Sequence, residues 1–169
     1  MSAYRDCRTV SLGDSDIKDA GMLLIKVAGV NRRKSQNNDV SDYLREAIRQ
    51  GRIDWCRQLL ARGVSVDDMD CAGRTLLHEA SSSGHLDIVK LLLDTGATRL
   101  INARAIGGDT ACHLAARCGF GPVVKTLVEA GADMEMKSSR GRDVRQEAIA
   151  FDHQRTAALV DSLFDNHNT

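Results

Sequence analysis

Glycine sets the period of this chain. Gly51, Gly84 and Gly119 are separated by 33 and then 35 residues, and Gly63, Gly96 and Gly131 repeat the same two intervals. Gly73, Thr75, His78 and Ala80 are matched in the same register by Gly108, Thr110, His113 and Ala115. A period of this length constrains the fold more than any single motif. A unit so short cannot bury its own apolar face, so neighbouring units have to stack. The two residues that lengthen the second interval both lie between Gly96 and Thr110.

Extending the register yields two weaker copies, for about four in all. Asp42-Tyr43-Leu44-Arg45-Glu46-Ala47 falls on Thr75 to Ala80, and Asp143 to Ala148 does the same at the other end. Both outer copies carry aspartate in place of threonine, and either side chain accepts a hydrogen bond from the free N–H groups that open a helix. Asp152 stands where the inner copies have glycine, and aspartate tolerates the left-handed conformation better than most residues. Each copy reads as two short helices, A and B. In the second copy helix A runs near Leu76 to Ser83 and helix B near Leu86 to Asp94, with apolar faces from Leu77, Ala80, Ile88, Val89, Leu91 and Leu92. Aromatic residues are only 4 % of the chain and Pro122 is the single proline, which argues against a β-sandwich or barrel. The expectation is an all-α solenoid over residues 38–169, preceded by a flexible segment, 1–37, in which residues 20–30 form a helix capping the first copy.

Gly73-x-Thr75-x-Leu77-His78-x-Ala80, then Gly84-His85 and Gly96-Ala97, resembles the ankyrin repeat, whose signature is T-P-L-H-x-A with a period of 33. The resemblance covers roughly residues 39 to 165. No copy keeps the proline after threonine, and the first and fourth lack the histidine, which suits outer copies acting as caps. The family implies helix-turn-helix repeats joined by β-turn fingers, a structural role for His78 and His113 between neighbouring fingers, and protein partners. A finer likeness is to the C-terminal ankyrin region of the diacylglycerol kinases that carry such repeats. It rests on "RTLLHEA" followed by "GGDTACHLAA", on "GADMEMKSSRGRDVRQEA", and on "DSDIKDA" upstream. The chain ends Asn-His-Asn-Thr, so the hydrophobic terminus by which those kinases engage PDZ domains is not carried over.

Chemistry of other kinds finds little support. Gly107-Gly108-Asp109 falls in a finger, not in the strand-turn-helix setting of a phosphate loop. His78 and His113 lie in different repeats with no nucleophile in register. The five cysteines, 7, 56, 71, 112 and 118, match no zinc spacing and read as small thiols in a reducing compartment. Cys112 is expected in the core and Cys118 nearer the surface. The Met22 to Val30 patch is too short to span a bilayer. Lys plus Arg and Asp plus Glu both count 23, so no global field draws the chain to nucleic acid or membrane. No catalytic residue, cofactor or metal is expected. The chain is read as a cytoplasmic, also nuclear, monomer.

The family resemblance implies a concave binding surface made of fingers and helix A. The expected contact residues are Asp68, Met69, Cys71 and Arg74 in the first finger, Arg104 and Ile106 in the second, and Lys137, Ser139 and Arg140 in the third. Glu79, Ser82 and Arg117 on the helices complete it, with Glu79 on a solvent face. The finger row runs from acidic (Asp67, Asp68, Asp70) to basic (Lys137, Arg140, Arg142, near Arg145), either as solvated turns or as a match to a partner of opposite polarity. Arg32-Arg33-Lys34-Ser35 separately offers Ser35 to a basophilic kinase, and only weakly a nuclear-import signal. The alternative to a free-standing binding module is the regulatory or localising tail of a diacylglycerol kinase.

Overall fold

The computed structural model describes residues 37–167, with side-chain surroundings from 40 to 165. The expected capping helix over 20–30 and Ser35 lie outside the described residues. Among the described residues eight α-helices follow one another: α1 (Asn37–Arg49), α2 (Ile53–Ala61), α3 (Leu76–Ser83), α4 (Leu86–Asp94), α5 (Ala111–Arg117), α6 (Gly121–Glu129), α7 (Val144–Ala150) and α8 (Gln154–His167). They pair as four helical hairpins. Helix A of one hairpin packs on helix A of the next, α3 on α5 and α5 on α7, and the B helices stack likewise, α2 on α4, α4 on α6 and α6 on α8. The second hairpin has the bounds that its sequence pattern predicts.

Caps define where each A helix begins. His78 Nδ1 lies 3.1 Å from the Thr75 N–H and 2.9 Å from its hydroxyl, and His113 repeats this at Thr110. At α7 the pair is Asp143 and Gln146. The carboxylate accepts the Gln146 N–H at 2.8 Å, and the amide oxygen accepts the Asp143 N–H at 3.1 Å. Each arrangement satisfies helix-end donors reciprocally. Asp42 does not do the same. It sits inside α1, which starts at Asn37, so its expected capping role is corrected.

The core runs between the two helix layers, with Leu44, Ile48, Leu77, Ala80, Ile88, Val89, Leu92, Val124, Leu127 and Val160 at most 1 % exposed. Gly84 shows why glycine recurs between helices A and B. Its φ is +76°, and a Cβ there would lie 2.5 Å from the ring of Phe120, the residue that leads into helix B of the next copy. Gly51 faces His85, and Gly119 faces His153, in the same way. At the last copy Asp152 holds φ +61° with no later copy described against it, so a side chain is tolerated. The two extra residues after Gly96 are absorbed by a 3₁₀ turn, Ala97–Leu100.

Between hairpins the chain makes three fingers closed by the same hydrogen bond: Asp70 N–H to Arg74 O, Ala105 N–H to Asp109 O, and Ser138 N–H to Arg142 O, at 2.9–3.0 Å. The first and second fingers are tied by the Ile106 N–H, which donates to Ala72 O at 2.9 Å. His78 Nε2 donates to the Asp109 carbonyl and His113 Nε2 to that of Arg142, each at 3.1 Å. A carbonyl can only accept, so both rings carry their proton on Nε2 and accept on Nδ1. Arg45 replaces the histidine in the first copy and reaches the backbone of the first finger, donating from Nη2 to Asp68 O at 2.7 Å.

Candidate protein interaction surface

The three fingers and the A helices bring the expected contact residues onto one side of the array, but in two different states. Along the helices the polar side chains are consumed by one another. Glu79 is 5 % exposed and lies between Arg49 Nε at 3.0 Å and Arg74 at 3.3 Å. Ser82 accepts from Arg74 at 3.2 Å and donates to Glu79 O at 3.0 Å. Glu147, fully buried, receives Arg117 at 3.4 Å and Arg142 at 3.8 Å, and Arg117 also holds Asp109 at 2.7 Å. The Arg117 guanidinium further lies 5.5 Å from the centre of the Phe151 ring. The expectation of Glu79 on a solvent face is therefore overturned. Two guanidiniums draw its carboxylate into the seam between copies, and it offers a partner almost no surface.

Glu79 and Glu147 are the same repeat position two copies apart. Each takes an arginine from the helix A before it (Arg49, Arg117) and one from its own finger (Arg74, Arg142). The seam between the second and third copies has Ser82 and Leu114 at these positions instead. Arginine in the first and third copies, each followed by a copy with glutamate, was readable once the register was known. What hid it is that the partners sit 30 residues apart in different copies.

The fingertips are open. Met69 is 52 % and Ile106 79 % exposed, and Arg104, Lys137, Ser139 and Arg140 are exposed as well. Asp68 is half-buried and bonded to the Ser41 hydroxyl. Cys71 is disulfide-bonded, which corrects its reading as a thiol. Burial pushes the Cys56 thiol up to about 11 and the Cys112 thiol up to about 12, which leaves both inert; Cys118 is free and exposed. Among the described residues no His, Cys, Asp and Glu group is placed to hold a metal ion, and no helix is long and apolar enough to cross a membrane.

The family model described as ankyrin repeats (3 copies) matches residues 18–104 and 44–138. The chain belongs to the ankyrin-repeat family. Human protein phosphatase 1 regulatory subunit 27 is 34 % identical to this ankyrin chain over 113 residues, 66 % of the chain and 71 % of that protein. Rat diacylglycerol kinase zeta is 32 % identical over 113 residues, again 66 % of the chain but 12 % of the kinase. The bovine inactive serine/threonine-protein kinase TEX14 is 29 % identical over 128 residues, 76 % of the chain and 8 % of that protein. The ankyrin chain thus spans about a tenth of the two large relatives. As an ankyrin array it is a protein–protein interaction module.

Proposed function

We propose that this ankyrin array binds a protein partner through its finger row, with no catalysis of its own. The observation that carries this reading is the pair of exposed fingertip side chains, Met69 and Ile106, on hairpins held by backbone hydrogen bonds. Large apolar side chains on a rigid, open edge are the residue type that anchors interfaces. The helical part of the surface contributes differently from the sequence reading. Arg74, Ser82 and Arg117 act mainly as a fixed floor, because their polar atoms already bond within the array. The test is partner capture followed by surface plasmon resonance. Ile106→Ala should speed dissociation, whereas Lys90→Glu, on the outer face of α4, should leave binding as it was. Loss of binding only with Lys90→Glu would place the partner on the convex side.

The likeness to rat diacylglycerol kinase zeta supports a second reading, a regulatory or localising region of a lipid kinase. The length of the native gene product decides between the two. Diacylglycerol phosphorylation by this chain alone, above a tag-only control, would contradict the non-catalytic reading. A cytoplasmic and nuclear monomer remains our proposal, tested by imaging and sedimentation.

A further inference from the structure

The charges along the finger row are not equally available. In the first finger each carboxylate is already engaged. Asp67 pairs with Arg99, Asp68 bonds the Ser41 hydroxyl, and Asp70 Oδ1 accepts the N–H groups of Ala72 and Arg74 at 2.9 and 2.8 Å. The second and third fingers are the reverse. Arg104 donates from Nη2 to the Lys137 carbonyl at 2.6 Å, which draws one cationic residue onto the backbone of another. Arg140 lies on the same fingertip, its backbone N–H held by the Ser138 hydroxyl at 3.3 Å. Among the described residues no carboxylate stands at ion-pair distance from Arg104, Lys137 or Arg140. The nearest acids in sequence are spent or set back. Asp109 holds Arg117, Asp143 caps α7 by accepting the Gln146 N–H, Glu147 holds Arg117 and Arg142, and Asp133 and Glu135 precede the fingertip.

Like charges on one edge repel, weakly in water and more where solvent is excluded. In a chain of zero net charge, three cations left without acids on one edge mark a place where an anion is favoured. Ile106 lies two residues after Arg104 on the second fingertip, 79 % exposed and held through its own N–H to Ala72 O. The two ends of the finger row therefore differ in use: Asp67 is ion-paired and Asp68 and Asp70 are held by local donors, whereas the basic tips have no acid at ion-pair distance.

We infer that the tips of the second and third fingers accept a short acidic segment of a partner protein, with Arg104, Lys137 and Arg140 receiving its carboxylates and Ile106 one apolar side chain between them. This rests on the finger-row reading above. The experiment is to pan a random dodecapeptide phage library on the full 169-residue chain and to measure a selected peptide by fluorescence polarisation. Enriched sequences should carry Asp or Glu around one large apolar residue. Their affinity should fall at least about tenfold in Arg104→Glu/Arg140→Glu and about tenfold in Ile106→Ala, and should weaken with added sodium chloride. Circular dichroism checks that each variant is folded. Neutral or basic peptides that compete at the fingers, and are lost with Met69→Glu, would overturn this inference and leave the finger-row reading standing. Peptides lost only with Lys90→Glu would overturn both. No enrichment, or retention by phosphatidylserine vesicles or polyuridine RNA in place of peptides, would overturn the acidic-peptide assignment.

Discussion

At position 78 the imidazole has to stay neutral to do two things at once, accepting from Thr75 and donating to the next finger. Burial pushes its pKa below the ordinary 6.5, with Arg74 acting in the same sense and Asp109 and Asp70 opposing. The unfolded chain then takes up this proton before the folded one does. The stability His78 contributes is full above about pH 6.5 and is lost as the pH falls below it. Urea titrations between pH 7 and pH 5 should show that decline, with a shallower slope in His78→Gln. Two other single residues separate packing from pairing. Leu92→Ala, at a fully buried site of α4, should cost about 2–5 kcal/mol. Glu147→Ala leaves Arg142 without its carboxylate and Arg117 with Asp109 alone, both partly hydrated, and should cost about 2–3 kcal/mol in the same assay. By the same reasoning Glu79→Ala costs well over the few tenths of a kcal/mol expected of a solvent-facing residue.

Among the elements, the left-handed glycines that follow the helices test whether glycine is needed for its φ or for space, Gly84 between helices A and B and Gly131 just after a helix B. Gly131→Ala meets φ +100° but no atom within 4 Å, and should cost roughly 1 kcal/mol. Gly84→Ala meets φ +76° and the Phe120 ring as well, and should cost roughly 2–3 kcal/mol by thermal or urea unfolding. These glycines are also why so much of the fold was legible. A left-handed turn of fixed spacing can be read from one chain, and it placed helices A and B of the second copy without error. Asp152 was legible for the same reason. Asp42 was misread because aspartate looks like a cap wherever it stands, and only the structure shows the helix already running from Asn37, five residues before it. Glu79 was misread because a helical wheel sees one helix. The two arginines that bury it come from the preceding helix and from its own finger. Fingertip exposure of Met69 and Ile106 was foreseeable from register alone, whereas the unequal use of the finger charges depends on hydrogen bonds that no spacing reveals.

Across the molecule, the fourth hairpin differs from the others on its outward face. Leu44, Leu77 and Cys112 are buried in the earlier copies, and Arg145 takes their place in the fourth, exposed. On helix B, Leu60, Leu93 and Val128 give way to Asp161, and Arg145 pairs with it. Ile149, 41 % exposed, is the apolar remnant of a face that Ile48, Ser81 and Ala116 bury. Replacing the ion pair by Arg145→Leu/Asp161→Leu would restore an apolar stacking surface, so sedimentation velocity should show concentration-dependent self-association absent from the parent. The alternating glutamate seams have a different consequence, for how the chain can be divided. Every ion pair named above closes within residues 46–99 or within 109–161. A cut between Gly107 and Gly108 severs none of them. Two-repeat halves are too short to hold their cores alone, so the fragments should regain helix only when mixed. What joins them is burial and hydrogen bonds that involve no carboxylate–cation pair: His78 to Asp109 O, Ala105 N–H to Asp109 O, Arg104 to Lys137 O, and Asn102 to Gly131 O and the Asp133 N–H. Complementation titrated by circular dichroism should therefore give nearly the same midpoint at low and moderate ionic strength. Fragments cut within a clamped couple, between Gly63 and Val64, should lose affinity as ionic strength rises.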